Sequence, residues 1–178
     1  MAREFRRIVT GHNAHGKSII ASDGPANQNF NEDGGGTAEF WTTDGAPADN
    51  KAAGDPALRP TKLEPPVNGT NFRYFALPPD SLYTREQLEA HASGLFKAIG
   101  ATHCRIDTSR HPGMHRTKTV DYIILLEGEV SLLVDEGDPV PMKQYDVVIQ
   151  RGTNHAWVNT GKTPALMVAV LIDAKPAP

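Results

Sequence analysis

The sequence has little cysteine, no long hydrophobic run and no excess of basic residues, and each shortage excludes a class of protein. One cysteine, Cys104, stands among 178 residues, which excludes an internal disulfide framework and favours a reducing compartment. The longest apolar run, ALMVAVLI at 165–172, is far short of the ~20 residues needed to span a bilayer. No apolar stretch that could serve as a signal peptide precedes residue 100. We therefore expect a cytoplasmic protein without a membrane partner. Lys and Arg (18) do not outnumber Asp and Glu (21), so we expect no nucleic-acid partner.

Short apolar segments bounded by turn residues predict a β-rich domain. Glycine (16) and proline (14) are frequent, which is typical of chains with many reversals. The candidate strands are FRRIVT (5–10), KSIIAS (17–22), AEFWTT (38–43), NFRYFAL (71–77), THCRID (102–107), VDYIILL (120–126), EVSLLVD (129–135), DVVIQ (146–150), HAWVN (155–159) and ALMVAVLI (165–172). Capping-box spacing between Thr84 and Gln87, an apolar stripe and Gly100 predict a helix at 84–99. One helix cannot cover both faces of a parallel sheet, so an all-β sandwich or barrel is preferred.

The chain divides into two parts by composition. Residues 1–70 contain strands and a Pro/Ala-rich stretch at 44–70, DGAPADNKAAGDPALRPTKLEPPVNGT. That stretch is too long for a connection in a compact domain unless it is a lid, a wrapping arm or disordered. We therefore expect an N-terminal arm at 1–70, packing on the barrel or on a dimer partner, and a barrel at 71–178.

The segment GHNAHGKS at 11–18 satisfies the phosphate-loop pattern in its letters. That pattern requires a helix after the loop, because the helix N-terminus and the loop amides hold the phosphate together. The residues that follow, IIASDGP, are β-branched and then turn-forming. We therefore interpret the segment as the turn of a β-hairpin.

Two stretches contain the residue types that bind ligands or metal ions. From 111 the chain reads HPGMHRTKTVDYIILLEGEVSLLVDEG, and from 145 it reads YDVVIQRGTNHAWVNTG. Alternate side chains of a strand share a face, so His115, Thr117 and Asp121 can point inward together with Ile123. The second stretch presents His155, Trp157 and Asn159 in the same way.

These stretches resemble the two signature motifs of the cupin superfamily, a jelly-roll β-barrel family. The residues at matching positions are His115, Thr117, Asp121 and Gly128 in the first motif and Gly152, His155 and Asn159 in the second. Gln150 stands where the family has proline, and the resemblance covers about 102–172. It implies an all-β cupin jelly roll (a double-stranded β-helix) with an N-terminal strand-containing arm and one short helix.

The resemblance also implies a metal site with His115, Asp121 and His155 as ligands. Threonine replaces the family's second histidine, which leaves two imidazoles and one carboxylate. This composition suits Fe(II) and would also accept Mn, Zn or Ni. Two alternatives stay open: a metal-free pocket for an organic ligand, and structural burial of hydrogen-bonded polar groups. The expected substrate pocket is lined by Thr117, Ile123, Trp157 and Asn159.

The implied function is an enzyme that acts on a small organic molecule inside the barrel, with Asp121 and Thr117 as catalytic residues. A bound divalent ion would support a lyase, dehydratase, decarboxylase or isomerase reaction. The alternatives are an Fe(II)-dependent dioxygenase and a non-catalytic cupin that binds a small ligand. The resemblance and the exposed edges of a small barrel further predict a homodimer, with residues 1–43 pairing across the interface.

Overall fold

The computed structural model describes residues 3–176, which form eleven β-strands, one α-helix and three short 3-10 helices. The strands are β1 (Arg6–His12), β2 (Ser18–Pro25), β3 (Asn27–Phe30), β4 (Gly36–Thr43), β5 (Thr70–Leu77), β6 (Thr119–Glu127), β7 (Val130–Val134), β8 (Val140–Met142), β9 (Val147–Gln150), β10 (His155–Asn159) and β11 (Ala165–Asp173). Helix α1 spans Arg85–Ala98, and the 3-10 helices span Pro56–Leu58, Asp80–Leu82 and Thr102–Cys104.

Two antiparallel sheets enclose the main hydrophobic core. The larger sheet has the strand order β3-β4-β5-β11-β6-β9, and the smaller has the order β10-β7-β8. Ile123 and Met167 from the larger sheet pack with Val130 and Met142 from the smaller one, and all four are buried. The chain therefore folds as an all-β double-stranded β-helix, as predicted.

Strand β6 alternates between the core and the outer surface. Asp121, Ile123 and Leu125 are buried, whereas Tyr122 is exposed. This period of two follows from the pleat, which turns successive side chains to opposite faces. The alternation fixes which residues of the first motif point into the barrel.

Helix α1 forms where the sequence predicts it, within one residue at each end. The Thr84 hydroxyl accepts a hydrogen bond from the Gln87 backbone N–H, and the Gln87 side chain accepts one from the Thr84 N–H. Phe96 is the buried residue of the helix and packs with Ala101 and Cys104. No helix within residues 3–176 combines the length and the apolar composition needed to cross a membrane.

The structure differs from the predicted strands in three places: one predicted strand is absent, and two strands of the structure were not predicted. The segment 102–107 is not a strand, because the Cys104 N–H bonds back to the Ala101 carbonyl and closes a 3-10 turn. Strand β3 has the sequence NQNF, which lacks the β-branched residues that signal a strand. Strand β8 contains Pro141, and proline argues against a strand when only the sequence is read.

The segment with phosphate-loop letters is the turn of the β1–β2 hairpin, as interpreted from the sequence. The Asn13 side chain accepts hydrogen bonds from the backbone N–H groups of His15 and Lys17, and Gly16 adopts a positive φ of 72°. Strand β2 follows directly, so no helix N-terminus faces this loop.

The N-terminal region contributes to the larger sheet, because β4 pairs with β5 at seven positions between Gly36 and Thr43. A boundary at residue 70 therefore runs between paired strands. The later part of the Pro/Ala-rich stretch lies against the same sheet: the Asn71 amide and the Arg73 guanidinium both donate to the Lys62 carbonyl.

We predict that Thr84→Ala lowers the free energy of unfolding by about 1 kcal/mol, because one N-terminal amide of α1 loses its partner. Urea unfolding followed by circular dichroism measures the change. Ser93→Ala, on an exposed position of the same helix, is the control and should be neutral or slightly stabilising, since alanine has the higher helix propensity. Equal loss in both variants would contradict the capping role.

Candidate functional site

His115 and His155 meet inside the barrel although forty residues of chain separate them in the sequence. Their backbones form an isolated antiparallel bridge, in which each N–H donates to the other's carbonyl at 2.9 Å. The two imidazole rings lie with their centroids 4.3 Å apart and tilted by 46°. The bridge thus holds the two side chains next to each other, as the motif spacing predicts.

The His115 ring has a defined tautomer. Its Nδ1 lies 2.9 Å from the Gly113 carbonyl oxygen, and because a carbonyl only accepts, Nδ1 carries the proton. Nε2 therefore keeps a free lone pair. This arrangement, with the far nitrogen bonded to a backbone carbonyl, is the one that orients histidines toward metal ions.

The His155 ring has two competing partners at Nδ1. The Thr153 carbonyl lies 3.0 Å away and requires a proton on Nδ1, whereas the Gln150 amide nitrogen lies 2.9 Å away and donates to an unprotonated Nδ1. The first tautomer leaves Nε2 free to bind an ion, and the second makes it a donor. Gln150 occupies the family's proline position, so its contact with His155 was not expected from the motif.

The surroundings of both rings are apolar. Phe96 lies 4.9 Å from the His115 ring, and Trp157 contacts the His155 ring edge-on at 5.3 Å. Burial lowers the pKa of His115 to about 4. Burial and the neighbouring His115 lower the pKa of His155 to about 3. Both imidazoles are therefore neutral at neutral pH, which is the form that binds metal ions.

Asp121 projects from β6 into the same interior and is 4% exposed. Burial raises the pKa of this carboxyl to about 6, against the opposing effects of the Thr119 side chain and the Arg73 charge. Its Oδ1 atom has no hydrogen-bond partner within the protein. A buried acceptor without a partner is costly, so this oxygen is available to a ligand or a bound ion.

The predicted metal ligands are not gathered equally closely. Among the described residues, one group of three or more His, Cys, Asp or Glu side chains has all its ligand atoms within 4.8 Å of one another, and it consists of Glu64, His103 and Cys104. The ligand atoms of His115, His155 and Asp121 therefore do not all lie within 4.8 Å of one another. His115 fits a divalent ion by its tautomer, and His155 fits one when its Nδ1 donates to the Thr153 carbonyl. Asp121 as a third ligand stays a prediction.

The other predicted site residues fall into three groups. Thr117 is buried, and its hydroxyl lies 2.6 Å from that of Thr119. Ile123 belongs to the main core, against which Trp157 packs. The Asn159 amide donates to the Leu77 and Thr163 carbonyls, and its oxygen accepts from the Gly161 N–H. Asn159 thus bonds to backbone groups with its side-chain polar atoms, and its assignment to the substrate pocket stays a prediction.

A cavity of about 260 Å³ lies between the sheet and the Pro/Ala-rich stretch. Strands β4 and β5 contribute Glu39, Asn71 and Arg73 to its wall, and Lys62 and Glu64 line the other side. The two imidazoles are not among its lining residues. The charge of Arg73 lowers the pKa of Asp121, and that of Glu64 raises it. The cavity that these two residues line therefore adjoins the carboxylate end of the candidate site.

Glu39 and Arg73 form a buried ion pair in this wall, with Oε2 and Nε 3.3 Å apart. Glu39 is 6% and Arg73 4% exposed. Burial raises the pKa of Glu39 despite the Arg73 charge. Glu39 and Arg73 belong to neither sequence motif. The register of β4 with β5 pairs them directly across the sheet.

Curated relatives match about a third of the chain. It is 47% identical over 64 residues to phomopsin biosynthesis cluster protein C′ of Diaporthe leptostromiformis (35% of this chain, 34% of the relative). It is 48% identical over 71 residues to oryzines biosynthesis cluster protein J of Aspergillus oryzae (37% and 40%). It is 44% identical over 66 residues to the cupin-domain-containing oxidoreductase virC of Hypocrea virens (35% and 34%). The matched segments thus span well under half of the relatives' own length.

Solved structures with a similar fold are more distant. A Cupin 2 conserved barrel domain protein from Salinispora arenicola is 14% identical, with 83% of this chain and 82% of that chain covered and a TM-score of 0.42. An RmlC-like cupin family protein with a double-stranded β-helix fold from Methanocaldococcus jannaschii is 11% identical, with 58% and 70% covered and a TM-score of 0.38. No family model matches the chain.

We predict that His155 makes the protein less stable in acid. Its pKa of about 3 in the folded state lies below the ordinary 6.5. The unfolded chain therefore binds more protons between these values, and stability falls as the pH falls through this window. From about pH 7.5 to about pH 5, wild type should lose on the order of 2 kcal/mol more unfolding free energy than His155→Gln.

Urea unfolding of the chelator-treated proteins at both pH values measures this difference. Asp121 acts in the opposite direction, because its raised pKa makes the folded state bind more protons, but it is common to both proteins and cancels. His12→Gln, which removes an exposed imidazole from the hairpin, controls for the loss of one histidine. An identical pH dependence in wild type and His155→Gln would refute the prediction.

Proposed function

We propose that this chain, a member of the cupin superfamily, is a divalent-metal-dependent enzyme that acts on a small organic molecule inside its barrel. The observation that carries the proposal is the pair of neutral imidazoles of His115 and His155, 4.3 Å apart by ring centroid in an apolar interior. A buried pair of neutral histidines with a free nitrogen suits iron, manganese, zinc or nickel.

His115 and His155 would hold the ion, and the remaining coordination positions would be open to Asp121, solvent or substrate. A bound divalent ion supplies a Lewis acid for a carbonyl or carboxylate oxygen. The apolar side chains of Phe96, Trp157 and Ile123 exclude water from this region and give the substrate an apolar wall. Low polarity of the walls strengthens every charge interaction made within them.

Asp121 is the candidate for proton transfer. Its pKa of about 6 lies close to neutral pH, where a carboxyl can both donate and accept a proton efficiently. Its unpartnered Oδ1 faces no protein donor and could take a proton from a substrate atom. Together with a Lewis acid, this chemistry supports a lyase, dehydratase, decarboxylase or isomerase reaction.

A second candidate reaction class is oxidation, and the names of the relatives favour it. The protein virC of Hypocrea virens is called a cupin-domain-containing oxidoreductase, and so is the protein srdD of Neurospora crassa, 43% identical over 65 residues. Two histidines and a carboxylate are also the ligand types of non-haem Fe(II) oxygenases. An oxidoreductase would use the same barrel residues.

We predict that the protein as purified contains a divalent metal and that His155→Ala loses one equivalent per chain. Inductively coupled plasma mass spectrometry measures the content and identifies the ion. Asp121→Asn should retain the metal, because the ligand atoms of Asp121 and of the two imidazoles do not all lie within 4.8 Å of one another. His12→Ala, in the exposed hairpin turn, is the matched control and should leave the content unchanged.

Equal metal content in wild type and His155→Ala would remove the barrel site from the proposal. Loss of metal in Asp121→Asn as well would make the carboxylate a ligand rather than a proton-transfer group. A wild type that stays metal-free after reconstitution with each candidate ion would instead favour a non-catalytic cupin that binds a small ligand.

We further propose that the chain forms a homodimer through its N-terminal strands. The β1–β2 hairpin forms a separate two-stranded sheet and exposes Ile8, Ile19 and Ile20, and a lone hairpin is marginally stable in water. The outer face of the larger sheet exposes further apolar side chains in one row of directly paired residues, Trp41, Phe72, Tyr122 and Ile149, joined through Val170. Since one chain has both surfaces, a two-fold pairing would cover both.

Ile20→Lys should therefore shift the protein from dimer to monomer in light scattering, because a charge would enter an apolar interface. His15→Lys, which adds the same charge at the exposed turn of the hairpin, away from Ile20, is the control for net charge on the hairpin. A monomeric wild type at the same concentration would overturn the proposal.

A further inference from the structure

Glu64, His103 and Cys104 form a cluster outside the barrel motifs. His103 Nε2 lies 2.9 Å from Glu64 Oε2 and 3.5 Å from Cys104 Sγ. Glu64 comes from the Pro/Ala-rich stretch, whereas His103 and Cys104 belong to the Thr102–Cys104 3-10 helix. Three different ligand types from two segments thus converge on one point.

The backbone fixes the direction of each of these side chains. The Lys118 N–H donates to Glu64 Oε1 at 2.9 Å, which turns Oε2 toward His103. The Cys104 carbonyl accepts from the Arg116 N–H, and its side chain is buried beside Phe96 and Ala101. His103 is exposed, with 60% of its side chain accessible, so the cluster is open to solvent on one side.

We propose that Glu64, His103 and Cys104 bind a zinc ion or a divalent ion of similar preference. Thiolate, imidazole and carboxylate are the ligands that zinc takes in proteins, with Zn–S about 2.3 Å and Zn–N about 2.0 Å. These lengths place tetrahedral S and N donors about 3.5 Å apart, and the Sγ to Nε2 distance here is 3.5 Å. The fourth position faces solvent and takes water.

The ion would connect the Pro/Ala-rich stretch to the barrel wall that carries the candidate site. Glu64 is already bonded to the Lys118 backbone, and Lys118 follows Thr117 in the first motif. Glu64 also lines the 260 Å³ cavity. A bound ion would therefore add a second link between this stretch and the barrel wall at the cavity. This site does not depend on whether the barrel histidines bind a metal.

Cobalt(II) spectroscopy tests the site, because Cys104 is the chain's one cysteine and the barrel histidines offer no sulfur. Titration of the chelator-treated protein with Co²⁺ should produce a near-ultraviolet thiolate-to-cobalt charge-transfer band that saturates and is displaced by Zn²⁺. His103→Ala, at an exposed position, should weaken this binding by at least about tenfold. Cys104→Ser should abolish the band, with circular dichroism checking its fold.

His155→Ala is the matched control and should keep the band at full strength, which separates this site from the barrel site. The absence of a band in wild type at saturating Co²⁺ would overturn the proposal. So would a band of unchanged affinity in His103→Ala, because the thiolate would then bind the ion without the cluster.

Discussion

The antiparallel bridge between His115 and His155 is the contact on which the candidate site depends. Two reciprocal backbone hydrogen bonds of 2.9 Å join the start of the first motif, at His115, to the start of β10. Backbone pairing leaves less freedom than side-chain packing, because it fixes register as well as distance. The two rings consequently face each other without any contribution from a bound ion, and any ion would bind to a geometry that the fold already provides.

Burial determines the protonation states of the residues around this bridge, because their polar atoms are not all hydrogen-bonded. The same removal from water makes His115 and His155 neutral and raises the pKa of Asp121 to about 6. Desolvation disfavours the charged form of acids and bases alike, so one apolar interior produces free imidazole lone pairs and a carboxyl poised near neutrality. Asp121 Oδ1 has no partner within the protein, and it shares this property with Glu39 Oε1 and Arg73 Nε in the adjoining wall.

Local sequence patterns predicted the elements that local forces determine. Strand β10 has the predicted bounds, and α1 agrees to within one residue, because alternation and a capping box act over neighbouring residues. The contacts of Glu64 with Lys118 and of Gln150 with His155 depend on long-range register and on the path of the Pro/Ala-rich stretch. No period or spacing in the sequence encodes them. Asn159 matches its motif position, but the motif does not predict its contacts with the Leu77 and Thr163 carbonyls.

The Pro/Ala-rich stretch is held against β5 and the first motif by hydrogen bonds. The Asn71 amide and the Arg73 guanidinium donate to the Lys62 carbonyl, and the Lys118 N–H donates to the Glu64 carboxylate. These contacts lie beside the cavity that adjoins Asp121. Phe96 and Trp157 lie against the imidazole rings of His115 and His155. Under the proposed function, we expect a substrate that reaches both the carboxyl and the imidazoles to have a polar end toward Arg73 and an apolar body toward the aromatic rings. The polarity of the two ends, more than the ion itself, would then select the molecule that reacts.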